Sequence, residues 1–222
     1  MHDLVIRGGQ VIDGTGTSAR QADIAIDNGI ITQVGDVSAS GREEIDAAGA
    51  LVAPGFVDIH THYDGQVIWD SDLSPSSWHG VTTIVMGNCG VGFAPVRPDR
   101  HDFLISVMEG VEDIPGAALS EGVTFDWETF PEYLDAVEAI PHSIDIGAQM
   151  PHSALRVYVM GDRGRDHDEA ATEEEIAEMR RLTREALEAG ALGFTTSRTI
   201  NHRDCDGNQI PTLTSAPSEL WG

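Results

Sequence analysis

The chain is 222 residues long, and 37 acidic side chains against 13 basic ones give it a formal net charge of −24. That balance argues against a surface built for nucleic acid or an anionic membrane and reads as a solvated acidic exterior that favours solubility. An apolar fraction of 41% is enough for a real core, excludes wholesale disorder, and at this length fits one or two domains.

Met1-His2-Asp3-Leu4-Val5 lacks a basic region followed by an apolar core, so no signal peptide is expected. No apolar run approaches the length of a membrane span, and the default compartment is the cytoplasm. Cys89 and Cys205 do not make a disulfide framework. Every basic residue is arginine; the chain has no lysine.

Residues 1–50 read as short strands and turns forming a small β-sandwich module. Ala22-Asp23-Ile24-Ala25-Ile26 alternates, Asp27-Asn28-Gly29 turns, and Ile30-Ile31-Thr32-Gln33-Val34 returns. Asn-Gly between two such runs is a strong hairpin signal, because both residues tolerate positive φ. From 51 to 222 strands alternate with helices, which predicts an α/β domain with parallel strands. Strands are expected at about 51–60, 81–88, 143–150 and 191–197. Thr172-Glu173-Glu174-Glu175 is a capping-box pattern, Ile176, Met179, Thr183, Ala186 and Leu187 share a face, and Gly190 ends the helix. Shorter helices are expected after Thr129-Phe130-Pro131-Glu132, with Leu134 and Val137 inward, and near 101–109. The stretch 90–127, punctuated by glycine and proline, reads as a long excursion, either a lid or a plain surface insertion.

His60-Thr61-His62 ends the first of these strands. Side chains at i and i+2 of a strand point the same way, so the two imidazoles converge just past its C-terminal end. Cys89, in Gly87-Asn88-Cys89-Gly90, ends the next strand. Taken alone, Cys89 reads as a small buried core residue; its place between Asn88 and Gly90, where the chain must turn tightly, weakens that reading. Two imidazoles and a thiolate at the ends of adjacent parallel strands suit a borderline-soft ion such as Zn²⁺. Asp64 reads as a turn residue or as a group orienting a ligand. His152 follows the third strand and can face the pocket. His79 and His101 carry no evident chemistry, and His202 and Cys205 are expected to be solvated.

Pro54-Gly55-Phe56-Val57-Asp58-Ile59-His60-Thr61-His62 resembles the start of an amidohydrolase-superfamily metal site. Gly80-Val81-Thr82-Thr83-Ile84-Val85-Met86-Gly87-Asn88-Cys89-Gly90 and Glu188-Ala189-Gly190-Ala191-Leu192-Gly193-Phe194-Thr195-Thr196-Ser197 are similar to the D-aminoacylase (N-acyl-D-amino-acid deacylase) group. The resemblance implies a metal-dependent (β/α)₈ barrel with a small β-sandwich, and metal ligands at His60, His62 and Cys89 for one or two zinc ions. It also implies hydrolysis of the amide of a small N-acyl amino acid, with the metal activating water and polarising the carbonyl. The carboxylated lysine common elsewhere in the superfamily has no counterpart in a lysine-free chain.

Two departures from that pattern shape the expectations. The group's tyrosine beyond the fourth strand is missing; the chain there reads Arg198-Thr199-Ile200-Asn201-His202. Arg198 can pair with a substrate carboxylate in a bidentate fork, or serve as a surface arginine. A (β/α)₈ barrel needs about 250 residues, so residues 51–222 are expected to hold only its first half, without the general base, and to be inactive alone. Three readings compete: part of a deacylase, part of an amidohydrolase acting on cyclic amides such as a hydantoinase or dihydroorotase, and a non-catalytic half-barrel. A half-barrel exposes two strand edges and favours homo-oligomers.

Overall fold

The alternating N-terminal segments pair as a sheet in the computed structural model, which describes residues 1–221. The first of its two compact units, Met1–Gly55, holds β1 (His2–Val11), β2 (Arg20–Asp27), β3 (Ile30–Gly35), β4 (Gly41–Asp46) and β5 (Leu51–Val52). Asn28 and Gly29 take φ of 51° and 76° between β2 and β3, the left-handed pair that a tight hairpin requires. The strand order is β3-β2-β1-β4, with β5 also on β1. β1 runs antiparallel to β2 and parallel to β4 and β5. Val5, Val11, Ala22, Ile24, Ala25 and Val37 are its buried apolar residues.

Two expectations change here. The five strands form one sheet, not two facing sheets. Leu51 and Val52, read as the start of the first barrel strand, pair instead with Gln10 and Val11. Pro54 has no N–H to offer a ladder, and the next strand begins only at Phe56.

The second unit, from Phe56 onward, is α/β. It opens with β6 (Phe56–Asp58) and β7 (Val81–Met86), followed by α1 (His101–Glu112), α2 (Gly116–Gly122) and α3 (Phe130–Glu138). Then come β8 (Asp145–Ala148), β9 (Met150–Pro151), α4 (His152–Met160), α5 (Glu173–Ala189), β10 (Phe194–Thr195) and α6 (Pro217–Trp221). β6, β7 and β8 form a parallel sheet in that order, and β9 pairs with β10 in parallel.

Both capping boxes form. Glu132 N–H donates to Thr129 Oγ1 (3.3 Å) while Thr129 N–H donates to Glu132 Oε2 (2.8 Å). Thr172 and Glu175 repeat the exchange at 3.2 and 2.8 Å. Gly190 closes α5 in the left-handed region, φ 119°. The buried residues of α5 are Met179, Leu182 and Ala186, whereas Leu187 is 46% exposed. The expected face holds at Met179 and Ala186, with Ile176 and Thr183 partly buried beside them; Leu182 joins it and Leu187 falls outside.

Other expectations shift for identifiable reasons. The third strand breaks at Gln149, whose N–H still donates to Met86 O (3.0 Å) while Met150 N–H turns to Gly193 O (2.9 Å). The fourth strand shrinks to β10, laid on β9. The stretch 90–127 is neither lid nor surface insertion. Phe93, Leu104, Val107, Leu119 and Trp127 belong to the main core, and Trp127 Nε1–H ties back to Phe93 O at 2.9 Å. Helix α4 has no amphipathic period to reveal it, because His152 to Val157 are all buried. No described helix is long and apolar enough to cross a membrane.

Candidate metal centre

The end of β6 is tied to the end of β7 through Thr61. Its N–H and its Oγ1–H both donate to Val85 O, at 3.0 and 2.8 Å. With Thr61 buried against β7, the side chains on either side of it turn the other way, and the His60 and His62 ring centroids lie 5.5 Å apart.

Cys89 is delivered by a turn that few residues can make. Gly87 has φ 77°, Cys89 itself 54° and Gly90 69°. A Cβ on Gly87 would stand 2.1 Å from Gln149 O, and one on Gly90 2.9 Å from Thr196 Cα. The left-handed conformation at Cys89 costs on the order of 1–2 kcal/mol for a non-glycine residue. Such strain is held only where surrounding bonds over-determine it. Those bonds come from Asn88, which is buried. Its Nδ2 donates to Thr61 O (3.2 Å) and Val85 O (2.9 Å), and its Oδ1 accepts from Gln149 Nε2 (3.0 Å). One amide thus joins the ends of three strands beside the thiol.

The outcome is a cluster in which one donor atom each from His60, His62 and Cys89 lies within 4.8 Å of the others. Cys89 Sγ is 3.3 Å from His60 Nε2. Burial lowers the His62 pKa to about 4, with help from the charges of His60 and His202, so the ring stays neutral. Burial raises the Cys89 thiol, and the charges of Glu112 and Asp64 raise it further. Burial lifts Asp64 to about 7, opposed by backbone hydrogen bonds and reinforced by Glu112. Burial likewise lifts Glu112 to about 7, with Asp113 adding to it.

The donor set fits a divalent, borderline-soft cation. His62 Nδ1 and Asp64 Oδ2 are buried and without a hydrogen-bond partner among the described residues. A cation would stabilise the thiolate and the buried carboxylates together.

The remaining sequence candidates fall outside this cluster. His152 is fully buried, with Nδ1 2.9 Å from Thr196 Oγ1 and Nε2 3.3 Å from Glu219 Oε2. It belongs to a buried ion cluster with Arg156 and lines a cavity with Leu155, Phe194 and Glu219. Arg198 donates to Ser215 O at 2.6 Å, which commits it to the turn at 212–215. His202 is not solvated as expected: it is half-buried, 3.0 Å from Ser197 Oγ, and its charge acts on His62. Cys205 is exposed, with Sγ 3.1 Å from Ser106 Oγ. His101 stacks on Phe125 at 4.0 Å. Sequence reasoning missed Asn88 and Glu112, whose partners Thr61, Gln149 and His62 lie at a distance along the chain.

Comparison with known proteins bears on this geometry. A family model described as "Amidohydrolase family" matches residues 43–220. A D-aminoacylase from Alcaligenes xylosoxydans xylosoxydans is 40% identical over 87% of this chain and 37% of its own. A solved D-aminoacylase, described by its binuclear metal center with one-metal activation and second-metal attenuation, superposes with a TM-score of 0.79 at 35% identity, covering 99% of this chain and 42% of that one. An N-acyl-D-glutamate deacylase from Bordetella bronchiseptica, solved with zinc and a phosphonate mimic of the tetrahedral intermediate, has a TM-score of 0.77 at 33% identity, covering 99% and 41%. The chain therefore spans about two fifths of the length of the relatives it matches.

Proposed function

Because the chain belongs to the amidohydrolase family, we propose that it carries part of the metal centre of an enzyme hydrolysing the amide bond of N-acyl-D-amino acids. The unit from Phe56 onward then corresponds to the leading part of a metal-dependent (β/α)₈ barrel. The observation that supports this reading best is the convergence of His60, His62 and Cys89 within 4.8 Å at the ends of two neighbouring parallel strands. That is the face on which such barrels keep their chemistry. The relatives' names supply the substrate class.

When bound, one or two zinc ions would lower the pKa of water and polarise a carbonyl. The chain's own residues have simpler tasks. His60 and His62 offer imidazole nitrogens, and Cys89 offers a thiol that ionises on binding. Asn88 and Thr61 fix the two strand ends relative to one another, so the donors do not drift apart. Asp64, buried and with a free oxygen among the described residues, would help orient a ligand and balance the charge of the site.

Elemental analysis of the purified chain beside Cys89→Ala tests the proposal. Near-stoichiometric zinc is expected, with affinity in the variant down by at least the roughly 10–100-fold that loss of a supporting group costs a metal site. No zinc in either protein would overturn it. Turnover of N-acetyl-D-amino acids by these 222 residues is expected at background. Turnover well above that, abolished by His60→Ala, would show that the residues in hand suffice.

A further inference from the structure

We propose that Glu112 is the positioning residue of His62: its carboxylate holds the imidazole in the orientation from which it meets the metal. The assignment rests on the metal reading above and extends it to a residue outside the three donors. Glu112 Oε1 lies 3.3 Å from His62 Nε2, and both side chains are largely enclosed, at 21% and 14% exposure. Glu112 is the last residue of α1, and Asp113 follows it in the left-handed region.

That is a poor place for a carboxylate unless it has a partner. The C-terminal end of a helix carries partial negative charge, which disfavours an anion there. The last turn of α1 has no basic residue to offset it. Half-burial adds a desolvation cost. The cationic or polarised N–H of a metal-bound imidazole removes both penalties. A ligating histidine whose second nitrogen meets a carboxylate is fixed in tautomer and ring angle, and binds its metal more strongly.

Glu112 is not a fourth donor, since it falls outside the cluster whose atoms lie within 4.8 Å of one another. Its platform is rigid, because Leu104, Val107 and Met108 anchor α1 in the main core. It reaches a strand end that lies 50 positions earlier in the chain. A mobile loop would not hold an imidazole this way.

The test is zinc affinity by competition with a chromophoric chelator, for the parent, Glu112→Gln and Glu112→Leu. It is paired with the visible spectrum of the cobalt(II) form and with melting curves. Glu112→Leu is expected to bind zinc about 10–100-fold more weakly. Glu112→Gln keeps an acceptor oxygen and is expected to fall between Glu112→Leu and the parent. The cobalt spectrum should be unchanged in both, because the donors are unchanged. Affinity of Glu112→Leu within twofold of the parent would overturn the assignment. So would an altered ligand field, which would make Glu112 a ligand. Should Glu112→Leu fold poorly, the near-isosteric Glu112→Gln decides: affinity equal to the parent with the fold intact overturns the role of the carboxylate charge. A parent that takes up no zinc overturns the metal reading, and this assignment with it.

Discussion

Replacing Glu219 by glutamine removes one charge from a cluster that water does not reach. The side chains of Glu219, Arg156 and His152 are at most 1% exposed. Arg156 pairs with Glu219 through Nη1. Its Nε donates to Gly164 O at 3.0 Å and its Nη2 to Glu169 O at 2.6 Å. In Glu219→Gln those carbonyls remain but the countercharge is gone, and a buried cation left uncompensated costs about 3–5 kcal/mol. The acid side gives a second route to the magnitude. Burial alone would raise the Glu219 pKa, but hydrogen bonds from His152 and Arg156 outweigh it and hold the group near 2 in place of 4.5. That difference corresponds to about 3 kcal/mol, in agreement with the first figure. Since the folded value is the depressed one, the stabilisation is complete above pH 4.5 and is lost as pH falls toward 2. Urea or thermal unfolding at pH 6 should therefore show Glu219→Gln melting roughly 6–20 °C lower. The gap should close as the pH is taken down through that window. A cost under about 1 kcal/mol at pH 6, or a gap that persists at low pH, would refute the argument that this ion cluster is a structural clamp.

Three further outcomes are expected. Gly87→Ala sets a Cβ 2.1 Å from Gln149 O at φ 77°. It should cost more than about 1–3 kcal/mol and lower zinc content with it, read by melting and elemental analysis; full zinc retention would mean that Cys89 does not depend on this turn. Thr172→Ala removes the oxygen that accepts from Glu175 N–H and should lower stability by about 1 kcal/mol in urea titration, with the zinc site untouched. Leu182→Ala, at a position 7% exposed, should cost about 2–5 kcal/mol. Leu187→Ala, at 46%, should stay within about 0.5 kcal/mol, and equal costs would contradict the observed face of α5.

What could be read before folding was what is decided within a few residues. Asn28-Gly29 needs only its own two φ angles to turn a hairpin. The Thr129–Glu132 and Thr172–Glu175 boxes close over three positions, and Gly190 ends α5 by its own conformation. What could not be read was decided by distant partners. Leu51-Val52 is as apolar as a barrel strand should be, and only β1 determines which sheet it joins. Helix α4 gives no periodic signal because it is enclosed on every side. Asn88 reads as a turn residue until Thr61 and Gln149, 27 and 61 positions away, are brought to its two ends.

The two histidines His62 and His152 show why the site was only half legible. Each follows the end of a short parallel strand, β6 or β9, and each was a candidate for chemistry on that ground. The difference lies in what the fold sets against the ring. His152 meets Glu219, whose charge Arg156 already balances, so that cluster is neutralised from within the protein. His62 meets a second imidazole, a thiol and a carboxylate at a helix C-terminus. No arginine joins that group through the ion pairs of the described residues. Burial keeps the ring neutral and pushes both carboxyls and the thiol toward their protonated forms, the direction expected of acidic groups that lack a counterion. Ionising acidic groups so enclosed is expensive unless a cation enters. The side chains were visible in sequence, but the missing counterion that distinguishes His62 from His152 arises only when α1 and the two strand ends come together.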